Sequence, residues 1–177
     1  MANPSTSNAF AILGLPPRFD LESSAIERAF FEKSKELHPD KVPAAERVAA
    51  LSRSRALNDA YQVIKKPIPR AEALLAAEGV TIGDHERMPL EFLQHHLEQR
   101  EALEEAKAAG QTAEIERLQG EMTARRKELL AGITTDFAAL TAALDRAPVL
   151  ARIKQKLIEL RYIARYLEAT DEALGDD

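Results

Sequence analysis

The sequence predicts an all-α protein, and three observations carry the prediction. Glycine is sparse, seven in 177 residues, while the strong helix formers Ala, Leu, Glu, Lys and Arg are abundant. Apolar residues recur at helical spacing along most of the chain. The interruptions fall at prolines and glycines, with no alternating, strand-like runs between them. With 45% apolar and 30% charged residues the composition is that of a globular protein. Aromatics make up 5% and tryptophan is absent, so the core must be mainly aliphatic.

A short helix over residues 8–13 should stop at Gly14, because Pro16 and Pro17 cannot continue it. Asp20 is the expected N-cap of the next helix, its carboxylate placed to accept the free N–H of Ser23. That helix runs to about Leu37 and turns Ile26, Ala29, Phe30 and Leu37 inward. Pro39 then disfavours helical geometry at His38, so the chain leaves the helix there. Pro43 suits the first turn of a third helix over about 45–65, whose apolar positions are Val48, Leu51, Leu57 and Ile64. The segment KKPIPRAEALLAAEG holds two prolines and then a short helix ending near Gly79.

The stretch GVTIGDHERMP, with two glycines, Asp84 and Pro89, reads as a boundary. It divides the chain into an N-terminal domain over 1–79, a linker over 80–88 and a C-terminal domain over 89–177. Three helical stretches follow, over 90–108, 112–144 and 147–172, with corners at Gly110 and Pro148. Short corners between long helices favour an antiparallel three-helix bundle.

Composition also excludes. The chain has no cysteine, which removes disulfides, thiolate zinc sites and cysteine-ligated clusters. No apolar run approaches the roughly 20 residues that span a membrane. The N-terminus carries neither a secretory signal nor an arginine-rich transit pattern, so a cytoplasmic protein is expected. A net charge of −5 argues against general nucleic-acid binding. That charge is uneven: residues 1–80 hold 11 basic and 10 acidic side chains, residues 81–177 hold 13 and 19. Two halves of such different charge are suited to different partners.

Two constellations carry the functional reading. The first is the polar corner His38-Pro39-Asp40 between two amphipathic helices, with Arg28 and Lys35 seven residues apart on one face and Lys33 and Lys41 nearby. Proline fixes such a loop, while histidine and aspartate present a donor and a charged acceptor. The second is LEFLQHHLEQREALEE. At about 100° per residue, Phe92, Gln99, Leu103 and Ala106 form the core face. Leu93, Gln94, Leu97, Glu98, Glu101 and Glu105 fall in a separate sector about 140° wide. Two leucines beside three carboxylates either form a binding surface or pack at the margin of the bundle.

The corner, the short helix before it and RALNDAYQVIKKPIPRAEALL after it resemble the J-domain, the module that stimulates DnaK-type ATPases. The pattern FLxxxLExREALEE, the junction IKKPIPRAEALL and LRYI in the last helix are similar to the HscB family of J-proteins. This resemblance covers Phe10 to about Leu174. It implies a non-enzymatic co-chaperone that needs no cofactor or metal, in the compact bacterial form without a cysteine-rich zinc module. The implied partners are an HscA-like ATPase and the IscU-like scaffold of iron–sulfur cluster assembly, with the protein itself a monomer. By the same resemblance, His38, Pro39, Asp40, Arg28, Lys33, Lys35 and Lys41 would meet the ATPase. Leu93, Gln94, Leu97, Glu98, Glu101, Glu105 and Tyr162 would meet the scaffold. Gln94 stands where the family pattern has an apolar residue and Tyr162 where phenylalanine is usual. A J-protein of the same architecture with another client is therefore the alternative.

Chemistry of other kinds finds little support in the sequence. His95 and His96 are adjacent on a helix and point about 100° apart, so they cannot readily share one ion. His96 falls near the core sector and His95 outside it. His38 and Asp40 have no nucleophile nearby, and the chain contains no glycine-rich phosphate loop.

Overall fold

A computed structural model describes residues 9–37, 43–83, 86 and 90–175. Seven α-helices run through the described residues: α1 Ala9–Leu13, α2 Ser23–Glu36, α3 Arg47–Lys65, α4 Pro67–Ala77, α5 Leu90–Ala108, α6 Thr112–Leu140 and α7 Ala147–Leu174. No strand occurs among these residues, and no helix is long and apolar enough to cross a membrane. The chain forms two compact units, Met1–Thr81 and Ile82–Asp177.

In the first unit α2 and α3 form a hairpin, and α1 packs against both. Gly14 ends α1 at φ +69°, a conformation that costs a residue without Cβ little. The N-terminus of α2 departs from the sequence reading. Helix α2 begins at Ser23 after Glu22, with no side-chain cap, and Asp20 instead pairs with Arg18 at 3.4 Å. A tight turn, Leu21 N–H donating to Phe19 O at 2.9 Å, delays the helix beyond the reach of Asp20. Ile26 is buried as expected, while Ala29, Phe30 and Leu37 are half-buried.

Helix α3 holds a second correction. Its buried residues are Ala50, Leu57, Ala60 and Ile64, so two of the four expected apolar positions are in the core and two are not. Val48 and Leu51 point outward. The small side chains of Ala50 and Ala60 let neighbouring helices approach closely, and they set which face is buried. Pro43 lies just ahead of a 3₁₀ turn, Ala44–Glu46, rather than inside the helix. Pro67 and Pro69, expected ahead of the short helix, lie in the first turn of α4, where a missing N–H removes no helical hydrogen bond.

The second unit is the three-helix bundle. Gln119 on α6 reaches Asp171 on α7, Arg125 reaches Glu159, and Asp136 takes Arg152. Partners descend along α7 as positions ascend along α6, so these helices are antiparallel. Between α5 and α7 the numbers rise together: the His96 ring meets Tyr162, and Gln99 O accepts from Tyr166. The order is therefore up, down, up. Its core is aliphatic, with Leu118, Ile133, Ile153, Leu157 and Leu160 almost fully buried. Helix α6 ends at Leu140, four residues before the expected position, and Pro148 sits inside the first turn of α7 rather than in the corner.

Gly120 is exposed in the middle of α6, and a Cβ added there would meet nothing within 4 Å. Gly120→Ala should therefore stabilise the bundle by about 0.5–1 kcal/mol by restricting the unfolded chain. Urea denaturation followed by circular dichroism checks this, and a lower midpoint would refute it.

Candidate functional site: a corner and an exposed helix face

His38, Pro39, Asp40 and Lys41 lie outside the described residues. The helix that leads to them is described. Arg28 and Lys35 are exposed on the outward face of α2, with Phe31, 59% exposed, between them. The Lys35 ammonium lies 4.1 Å from the Phe31 ring centre, and Arg28 Nε donates to Ser24 O at 3.3 Å. Lys33 is turned elsewhere: it is half-buried, with its ammonium 3.2 Å from Glu36.

Arg70, on α4, is a determinant that sequence reasoning missed. It is only 6% exposed. Its Nε donates to Ile64 O at 2.7 Å and its Nη1 to Phe19 O at 2.7 Å; longer contacts reach Leu21 O and Lys65 O. Ile64 and Lys65 are the last residues of α3, whose carbonyls have no partner within the helix. One guanidinium thus closes the C-terminus of α3 and ties it to the segment before α2. Burial pulls its pKa below the usual guanidinium value.

On α5 both leucines stand at the surface. Leu93 and Leu97 are 39% and 55% exposed, and Gln94, Glu98, Glu101 and Glu105 are exposed on the same side. Leu103 and Ala106 are buried, while Phe92, His96 and Gln99 are half-buried against the bundle. Leu90, 71% exposed, extends the apolar row by one turn; it lies seven residues before Leu97 and could have been found by extending the same periodicity. Among the described residues, Glu98, Glu101 and Glu105 make no ion pair.

Tyr162 approaches from α7. Its ring packs edge-on against His96, centroids 5.2 Å apart. It is half-buried and lines a groove of about 690 Å³ with Phe92, His96, Met122, Arg125 and Ile163. The groove wall is charged but paired, since Arg125 holds Glu159 at 2.7 Å and lies over the Phe92 ring at 5.7 Å. Tyr166 donates to Gln99 O at 3.1 Å, and burial pushes its pKa up to about 12.

His95 is exposed and His96 half-buried, as their positions on the helix predict. Burial, then the charges of Arg100 and His95, holds His96 below the ordinary imidazole pKa. The unfolded chain therefore takes up this proton first, so the contribution of neutral His96 is present above about pH 6.5 and is lost as pH falls below it. The melting temperature should drop between pH 7.5 and 5.5. His96→Gln should flatten that dependence, and an unchanged pH profile in the variant would exclude this source.

Known proteins resemble this chain over most of its length. Residues 8–72 match the DnaJ domain family, and residues 88–171 match the HSCB C-terminal oligomerisation domain family. A co-chaperone protein HscB homolog of Azoarcus sp. (strain BH72) is 33% identical over 170 residues, 93% of this chain and 92% of that protein. The solved chaperone HscB from Vibrio cholerae superposes with a TM-score of 0.76 at 29% identity, over 93% of this chain and 96% of the other. Human co-chaperone protein HscB shares the fold, with a TM-score of 0.80 at 21% identity, over 93% of this chain and 80% of the other.

Proposed function

The chain belongs to the HscB family of co-chaperones, and on that premise we propose that it is an adaptor with two arms. One arm, the His38-Pro39-Asp40 corner with Arg28, Lys33, Lys35 and Lys41, docks on an HscA-like ATPase of the DnaK type and stimulates ATP hydrolysis. The other arm is the outward face of α5 with Tyr162, which holds an IscU-like iron–sulfur scaffold. Holding the client while triggering hydrolysis lets the chaperone close on it. The protein acts in the cytoplasm as a monomer, without a cofactor of its own.

The observation that carries this reading is the α5 face: Leu90, Leu93 and Leu97 stand in solvent beside three carboxylates without ion-pair partners among the described residues. An apolar row of that kind fits a partner surface that is apolar at its centre and basic at its rim. The charges steer the encounter, and the leucines supply most of the affinity. On the other arm, Arg28 and Lys35 are exposed with Glu32 interleaved between them, so the approach to the corner offers two separate cations, a narrow contact for an acidic chaperone surface.

Steady-state ATP turnover by an HscA-like chaperone tests the reading, measured alone, with this protein, and with this protein plus the scaffold. Synergy between the two additions is expected. Stimulation without a scaffold effect would keep the co-chaperone and reassign the client, for which Gln94 would be the first place to look. No stimulation would refute the first arm.

A further inference from the structure

Helix α3 leaves two large apolar side chains in solvent that neither arm uses. Val48 is 82% exposed and Leu51 64% exposed, one turn apart. At about 100° per residue, Arg47, Val48, Leu51 and Arg55 fall within one arc of α3, away from the buried Ala50, Leu57, Ala60 and Ile64. All four are exposed. No carboxylate occurs from Arg47 to Asn58. Neither Arg47 nor Arg55 makes an ion pair among the described residues. Two adjacent apolar residues flanked by two exposed guanidinium groups form an anchor with a cationic rim, an arrangement typical of recognition surfaces.

We propose that this face of α3 is a docking surface for an acidic amphipathic segment of a partner protein. The occupant carries two apolar side chains one turn apart, seated on Val48 and Leu51, with carboxylates reaching Arg47 and Arg55. Charge complementarity selects this occupant: a bidentate guanidinium–carboxylate contact at each end fixes the register of the apolar pair. An anionic membrane is disfavoured, since two apolar side chains give little area to insert and the whole chain carries a net charge of −5.

The test uses the full chain and a fluorescein-labelled synthetic helical peptide in which leucines one turn apart are flanked by glutamates. Fluorescence anisotropy should show saturable binding that weakens as salt rises. Leu51→Ser and Arg55→Glu should each weaken it by about tenfold or more, a change of about 1.4 kcal/mol. Val48→Ser serves in place of Leu51→Ser if that variant melts at a lower temperature. Absence of binding, or equal binding by the wild type and both variants, would overturn the proposal. So would binding to phosphatidylglycerol vesicles with none to the peptide, which would assign the face to a lipid surface.

Discussion

Arg70→Met is expected to lower the stability of the Met1–Thr81 unit by about 3 kcal/mol, the sum of several charge-assisted hydrogen bonds lost and buried carbonyls left unpaired. A unit of this size is stabilised by only about 4–12 kcal/mol, so the loss is a large share of the whole. It corresponds to a fall of about 12–24 °C in melting temperature. The methionine fills most of the volume but offers no donor to Ile64, Lys65, Phe19 or Leu21, whose carbonyls the guanidinium now holds. Arg70→Lys should rescue little, because one ammonium cannot copy a planar fork that reaches both the end of α3 and the segment before α2. Calorimetry or circular-dichroism melting of the full chain decides the matter. A variant within about 0.5 kcal/mol of the wild type, the range of ordinary surface substitutions, would mean that water satisfies these carbonyls equally well.

The second large effect separates the two arms. His38→Gln should reduce ATPase stimulation to the basal rate while scaffold binding stays unchanged. Leu97→Ala should leave stimulation by the protein alone unchanged and weaken scaffold binding by about 1–2 kcal/mol, about five- to thirty-fold. Glu101→Arg, on the same exposed face, should act mainly through the association rate, with an effect that shrinks as salt rises. Titration calorimetry with the scaffold and turnover with the chaperone read the two arms independently. Equal damage to both activities by either His38→Gln or Leu97→Ala would rule out separable arms.

The Arg70 prediction rests on information that the sequence does not display. RAE within PIPRAEALL reads as an ordinary polar stretch of a helix. Its acceptors at Phe19 and Leu21 lie some fifty positions earlier in the chain, and no periodicity relates them to it. Val48 and Leu51 show the same limit in another form. Apolar residues on α3 fit a helical period, yet two phases of that period are available, and the alanines at 50 and 60 occupy the buried one. Only the neighbours of a helix settle which phase faces inward, because packing rewards close approach as well as hydrophobicity.

What the sequence determined by itself is what local physics determines. Proline and glycine restrict backbone dihedrals within one or two residues, so helix ends at Gly14, Gly79 and Gly110 were legible, each with positive φ in the fold. The face of α5 was legible because a single helix fixes the angular order of its own side chains: Leu93 and Leu97 fell with the carboxylates and away from Leu103 and Ala106. Tertiary structure alone decided which sectors meet solvent. It exposed Leu90, left Val48 and Leu51 uncovered, seated Tyr162 against His96, and buried Arg70 beneath carbonyls from two distant segments. Burial is a property of pairs of elements, and a one-dimensional pattern specifies only one member of each pair.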